Sequence, residues 1–329
     1  MKILILGSGS FAGQAVFSNL IYEGYEVFGI NRSSPRHFHQ WPWLKSLKQD
    51  IKDIWYEINI NDDPEKIIQT INHIQPTHII DFMGQGMVAQ SWDDPSLWYS
   101  TNVTKKVYVL EQIRKIKCIE KYVRASTPEV YGSSSEIIKE SSGFNPSTPY
   151  AISHCSIDYH IRCIGKNFEF PYSIGRFANF YGEGQQLYRV IPKAILSFIN
   201  SKNFTIDGDG KSLRSFIYSD DIISAIKKLL FESKPFTEYN FSGDEEVSIL
   251  ELIKIISKYC DVDFEKVVKF GPDRKGKDLV YRLDCRKAKL ELAWESKVSM
   301  EKGINNVQKW IYQNNDYLSK SSWNYIHKC

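Results

Sequence analysis

Cysteine is sparse in this chain: six in 329 residues, Cys118, Cys155, Cys163, Cys260, Cys285 and Cys329. No two sit at the short spacing of a metal knuckle, and the set is too thin for a disulfide-stapled fold. Neither a metal site nor an oxidising compartment is expected. Net charge is nearly absent as well. The 42 Lys and Arg against 39 Asp and Glu leave +3, which argues against a nucleic-acid or membrane-surface protein; a few local arginines still suffice for a small anion. No apolar run is long enough to cross a bilayer, no repeat or low-complexity tract interrupts the chain, and its start reads as a strand instead of a signal peptide. A cytoplasmic localisation is expected.

What is present is an ordinary supply of core: 42% hydrophobic and 25% charged residues, enough for one large α/β unit with a smaller appendage. Lys2-Ile3-Leu4-Ile5-Leu6 is a short apolar run ending at glycine, the mark of a parallel strand buried on both faces. Further strands are expected at Glu26 to Ile30, Ile54 to Ile58, His78 to Phe82, Lys121 to Ala125 and Tyr172 to Arg176. Helices are expected at Phe11 to Tyr22, Pro64 to Ile74, Pro95 to Ile116 and Tyr150 to Asn167. Strict β/α alternation predicts a doubly wound parallel sheet, a Rossmann-type α/β fold. After Arg176 the alternation loosens, with helices at Val190 to Ser201 and Ile249 to Tyr259. The division expected is a dinucleotide-binding domain over 1–176 and a substrate-binding α/β lobe over 177–329, interleaved with the end of the sheet.

Gly7-Ser8-Gly9-Ser10-Phe11-Ala12-Gly13 lies between the first strand and the first helix. Glycine there lets backbone approach a pyrophosphate, and the helix N-terminus supplies oriented amides. The spacing departs from three evenly placed glycines, because position 10 is serine. At the end of the second strand an acid would greet a ribose 2′-hydroxyl. Asn31-Arg32-Ser33-Ser34 stands there instead, a set of donors suited to a 2′-phosphate. NADP(H) is therefore expected over NAD(H).

Ser126-Thr127-Pro128-Glu129 and Tyr150-Ala151-Ile152-Ser153-His154 bring a hydroxyl, a carboxylate and a phenol to the carboxyl ends of expected strands, where open α/β sheets place their chemistry. With Thr101-Asn102-Val103, Arg176-Phe177-x-Asn179-x-Tyr181-Gly182, Arg214-Ser215-Phe216-Ile217-Tyr218-x-Asp220-Asp221 and Asp273-Arg274-x-Gly276-x-Asp278, the chain resembles the extended short-chain dehydrogenase/reductases. The specific resemblance is to the NAD(P)-dependent nucleotide-sugar epimerase/dehydratase group, and it runs nearly end to end.

That resemblance implies a nucleotide-sugar substrate and a homodimer built from the helices Pro95 to Ile116 and Tyr150 to Asn167, with Val107, Leu110 and Ile157 outward. It makes Tyr150 the base toward a sugar hydroxyl and Thr127 its neighbour at O4. Glu129 marks the 4,6-dehydratases, in which a glutamate removes the C5 proton and water leaves from C6. Epimerase, decarboxylase and 4-keto reductase activities are the alternatives, and a weakened nucleotide-binding regulatory protein a more remote one. Two departures stand out. His154 occupies the place of the family's lysine, and Pro128 the place where dTDP-glucose dehydratases carry an aspartate and GDP-mannose dehydratases a serine. Asn59, Ile60, Met83, Gly84, Asn102, Tyr150 and His154 are carried over as further cofactor contacts. Asn179, Arg214 and Arg274 are carried over as substrate contacts, the two arginines on the diphosphate; Lys193, next to Pro192, is a candidate nucleotide contact whose alternative reading is a surface lysine. Tyr188, Tyr218 and Tyr281 read mainly as packing.

Overall fold

In a computed structural model, residues 1–47, 50–272 and 282–327 are described. Five strands open the chain: β1 (Lys2–Leu6), β2 (Glu26–Asn31), β3 (Trp55–Glu57), β4 (His78–Asp81) and β5 (Lys121–Ser126). With the strands Tyr172–Phe177 and Thr237–Phe241 they form a seven-stranded sheet. Its order is Thr237–Phe241, Tyr172–Phe177, β5, β4, β1, β2, β3, and every pairing is parallel. The expected Rossmann-type fold is the one observed. Winding reverses at β1, between β2 and β4, so the crevice at their carboxyl ends is the switch point where such sheets bind ligands. The edge strand Thr237–Phe241 comes from the second half of the chain.

Helix α1 (Phe11–Tyr22) and the helix Ser219–Phe231 cover one face of the sheet through Val16, Phe17, Leu20, Ile222 and Ile226. The other face takes α2 (Pro64–Ile74), whose Ile67, Ile71 and Ile74 recur at one-turn spacing and are all buried. Each such side chain contributes about 1.5–3 kcal/mol by leaving water. The ends of α2 are written locally: Asp63 caps by accepting from Lys66 N, Pro64 occupies the first helical position, and Gln75 closes it in a left-handed conformation. A separate core holds the second lobe, where the helices Val190–Ile199, Ile249–Tyr259 and Met300–Gln313 surround the strands Asn179–Tyr181, Leu213–Tyr218 and Glu246–Ser248.

Two expectations are corrected. The segment Pro95 to Ile116 is not one helix: α3 (Pro95–Tyr99) and α4 (Lys106–Ile113) flank a wide π-type turn over Ser100–Lys105. The extra residue per turn lets Thr101, Asn102 and Lys106 all face inward, the use to which such turns are often put. Leu110 and Ile157 do not point outward; both are fully buried beneath α4 and α5 (Pro149–Phe168). The outward residues of these helices are Tyr108, Ile152 and Tyr159.

Candidate active site

The turn after β1 is built for close approach. Gly7 has φ +78°, and a Cβ there would stand 2.8 Å from Met83 N; one on Gly13 would strike the Gly7 carbonyl. Gly9 is equally confined, by the Asn31 side chain. Ser10, at the position where an evenly spaced motif would have glycine, caps α1 by accepting from Gly13 N at 3.0 Å. Phe11 and Ala12 follow as buried first-turn residues, and no acid occupies that turn. The positive end of α1 therefore faces the switch point unopposed, in a cradle that a Cβ would fill and that fits a dinucleotide pyrophosphate.

Beyond β2, Asn31 Nδ2 and Trp55 Nε1 both donate to the Ser33 carbonyl, at 3.0 and 3.2 Å, which fixes the turn that presents Arg32. Arg32 is exposed and reaches Gln85 Oε1 at 3.4 Å. Arg36, which the sequence reading missed, stands behind it. Burial pulls its guanidinium below the ordinary range, the Tyr188 phenol opposes this, and the charge of Arg32 adds to it. Two neighbouring arginines make a positive corner.

The loop after β4 is clamped from both sides. Met83 N donates to Asp81 Oδ1, Lys106 Nζ donates to the Met83 carbonyl, and Gly84 lies against Asn102. Asn102 meets both backbone groups of Gln85, accepting from its N at 2.6 Å and donating to its O at 3.0 Å, and also donates to Ser153 Oγ. Removing Asn102 would orphan buried groups at about 1–3 kcal/mol each. It shapes the loop by these bonds. Asn59 likewise serves its own turn, bonding Asp62 and Asn61 N, and Ile60 is core.

Thr127, Glu129, Tyr150 and His154 converge at the carboxyl end of β5. Thr127 caps the short turn Pro128–Tyr131, and Pro128 fills its first position, where a missing N–H costs nothing. That turn places Glu129 half-buried beside Tyr150. Burial pushes the Tyr150 phenol well above its ordinary range and the Glu129 carboxylate pushes it further; a hydrogen bond with Thr127 and the charges of Arg189 and Arg124 pull it back. His154 lies one turn along α5, its ring 4.5 Å from that of Tyr150.

Behind these residues runs a buried charge network that the sequence reading did not foresee. Lys106 Nζ sits 2.7 Å from Asp81 Oδ1, and Tyr122 donates to the same carboxylate. Arg124 Nη2 lies 3.0 Å from His154 Nδ1. Asp158 accepts from Ser126 and from Arg176, whose guanidinium also holds Glu238 and Tyr131. A charged residue in an otherwise apolar strand, as in Lys121-Tyr122-Val123-Arg124-Ala125, was the available signal.

In the second lobe Asn179 and Arg214 lie on neighbouring strands, with Asn179 Nδ2 donating to the Ser215 carbonyl. Lys193 sits one turn after Arg189 in the helix Val190–Ile199, apart from them. Tyr218 is packing: its hydroxyl bonds Glu183 and Asn306. Arg274 and Tyr281 fall outside the described residues. The C-terminal segment supplies an unforeseen wall, since Tyr325 bonds Gln85 and packs on Tyr188, while His327 lies against Trp98.

A family model described as GDP-mannose 4,6 dehydratase matches residues 4–307. The chain belongs to this family. It is 27% identical to the dTDP-glucose 4,6-dehydratase of Escherichia coli, over 97% of this chain and 96% of that one. Among solved structures, a dTDP-glucose 4,6-dehydratase of Streptomyces venezuelae with NAD bound superposes with a TM-score of 0.87 at 25% identity, covering 96% of this chain and 98% of the other. A UDP-glucose 4-epimerase of Thermotoga maritima with UDP-glucose gives a TM-score of 0.86 at 25% identity, covering 96% of this chain and all of that one. Dehydratases and epimerases thus share this scaffold, and the extended short-chain dehydrogenase/reductase resemblance is borne out. Among the described residues, no helix is long and apolar enough to cross a membrane.

Proposed function

We propose that this protein is a nucleotide-sugar 4,6-dehydratase. The observation that carries the reading is the placement of Glu129, close enough to act electrostatically on Tyr150 while Thr127 hydrogen-bonds the same phenol. An epimerase acting at C4 has no use for a second base there.

Gly7, Gly9, Ser10, Phe11, Ala12 and Gly13 hold the cofactor pyrophosphate. Asn31, Arg32 and Ser33 hold the adenosine ribose, and the loop at Met83-Gly84 flanks the nicotinamide side with Tyr150 and His154. Asn59, Ile60 and Asn102 contribute by shaping backbone. A bound nicotinamide would supply a reversible store for one hydride, taken from C4 and returned to C6 after water has left. Tyr150, as phenolate, takes the proton of the sugar C4 hydroxyl, and Thr127 steadies the oxygen. The resulting 4-ketone acidifies C5–H. Glu129 takes the C5 proton and delivers it to the C6 hydroxyl, which leaves as water; Pro128, having no acid group, requires one carboxylate to do both. Arg214 and Arg274 hold the donor diphosphate, with Asn179 along the channel and Lys193 toward the nucleotide.

Arg32 and Arg36 support NADP(H) over NAD(H). The outward stripe of Ile152 and Tyr159 with Tyr108 supports a homodimer, which light scattering at micromolar concentration tests; a monomer would count against it. The decisive experiment incubates the protein with GDP-, UDP-, dTDP- and CDP-hexoses and follows loss of water by mass spectrometry. An epimer returned at unchanged mass would move the assignment to the epimerases.

A further inference from the structure

Arg124 makes the longest ion-pair contacts of the buried network. Asp81 is engaged at 2.7 Å by Lys106 and at 2.5 Å by Tyr122, and Asp158 at 2.9 Å by both Arg176 and Ser126. Arg124 meets each of these carboxylates only at 3.4 Å, and its Nε finds no hydrogen bond. Glu238 is shared between Arg176 and Arg162. Four cations therefore face three carboxylates, and Arg124 among them also touches the His154 ring.

That contact has a defined polarity. A guanidinium has donors and no acceptor, so His154 Nδ1 must present its lone pair to Arg124 Nη2. The one proton of the neutral imidazole then resides on Nε2. A second proton on Nδ1 would set two cations 3.0 Å apart in a site where Arg124 is 2% and His154 8% exposed. The groups facing His154 from neighbouring elements are Arg124 on β5 and Lys106 on α4; burial and these two charges hold its pKa far below the ordinary imidazole range. Tyr150 and Asp158 share its own helix.

We propose that Arg124 is a positioning residue that locks His154 as the neutral Nε2–H donor and itself adds a positive charge acting on Tyr150. The pair divides between two side chains what one lysine would do: His154 donates a hydrogen bond into the cleft, and Arg124 adds to the positive field that Arg189 also supplies. Arg124 acts on the Tyr150 phenol alongside Arg189 and against Glu129.

This inference rests on Tyr150 as the base, but its first test does not require turnover. Histidine side-chain ¹⁵N NMR on the purified protein, with His154 assigned by its loss in His154→Gln, reads tautomer and protonation directly. The wild type is expected to show the Nε2–H tautomer, unchanged from about pH 5 to pH 9. In Arg124→Lys, and in Arg124→Met where it folds, the signal is expected to become a mixture of tautomers or to titrate within that range. A titrating His154 in the wild type, an Nδ1–H tautomer, or identical spectra in the Arg124 variants would overturn the proposal. The second arm measures the pH dependence of cofactor reduction on mixing with dTDP-glucose, UDP-glucose or GDP-mannose. Arg124→Met is expected to move the phenolate limb up by about one pH unit, near tenfold in rate below it. A purely structural Arg124 would lower the amplitude and leave the limb in place. If the wild type reduces no cofactor with any of these sugars, the proposed function fails while the NMR arm still decides the role of Arg124.

Discussion

Gln85 Nε2 donates to the Tyr325 hydroxyl at 2.7 Å, joining residues 240 apart in sequence. One end of this bond is in the loop after β4, beside the proposed nicotinamide site, and the other is in the C-terminal segment. His327 extends the contact, 3.1 Å from the Tyr325 hydroxyl and ring-to-ring with Trp98. The segment thereby forms one wall of the cleft. Truncation after Trp323 is expected to leave the thermal midpoint nearly unchanged and to speed cofactor release by about tenfold, since one or two hydrogen bonds near 1 kcal/mol each are lost. Stopped-flow release of reduced cofactor measures this. An unchanged release rate would show that the segment plays no part in retention.

The Tyr150 phenol is raised by burial and then by Glu129, and lowered by Thr127. Activity as a base needs the phenolate, so the rate of cofactor reduction rises with pH through this group. Glu129→Gln removes a charge that raises the pKa, so the rising limb shifts to lower pH, and reduced cofactor accumulates because the C5 proton stays in place. Thr127→Val removes a hydrogen bond that lowers the pKa, so the limb shifts to higher pH. Opposite shifts of about half a unit or more are expected, read as absorbance of the reduced nicotinamide against pH. Shifts of the same sign would refute the electrostatic account, and wild-type turnover in Glu129→Gln would remove the dehydratase assignment.

Arg32→Ala is expected to weaken NADP(H) by about tenfold, the loss of a charge-assisted contact of about 1.5–3 kcal/mol, while NAD(H) binding changes little. Arg36→Ala should act in the same direction, because its guanidinium adds to the positive charge of Arg32. Titration calorimetry with both cofactors decides it: equal affinities in the wild type, or equal losses in the variants, would end the 2′-phosphate reading.

Lysine at position 154 restores the residue usual in the family, yet here it is expected to be harmful. Its ammonium would enter a buried space beside Arg124, now 3.0 Å from the imidazole, and an uncompensated buried charge costs several kcal/mol. His154→Lys should melt about 5 °C or more below the wild type. The pair His154→Lys with Arg124→Met should recover much of that loss. Wild-type stability in the single variant would mean that the Arg124 contact matters little.

Much of the site could be read from the chain because local rules wrote it. The turn from Gly7 to Gly13 needs residues without a Cβ at three places and a cap at a fourth, and these requirements leave their mark in seven consecutive positions. Pro64 and Asp63 begin α2 by the same kind of local chemistry, and that helix runs over the residues expected. Thr127, Glu129 and Tyr150 were legible as a set because a short capped turn and a helix start bring them together with few elements between.

What the chain did not announce depends on residues far apart that meet only in the packed molecule. Alternation of β and α fixed the sheet and its parallel sense, since buried strands and their covering helices have distinct periods. It could not say that Leu110 faces inward, because one wide turn at Ser100–Lys105 rotates the helix that follows, nor that Ile157 on α5 is buried in the same core. Nor could it say that Asp81, Lys106, Arg124 and His154, from four elements of the sheet and its helices, meet in one dry space. Sequence determined where hydroxyl, carboxylate and phenol stand. Tertiary structure alone decided which charges surround them, since a charge acts through space and distance along the chain carries no record of it.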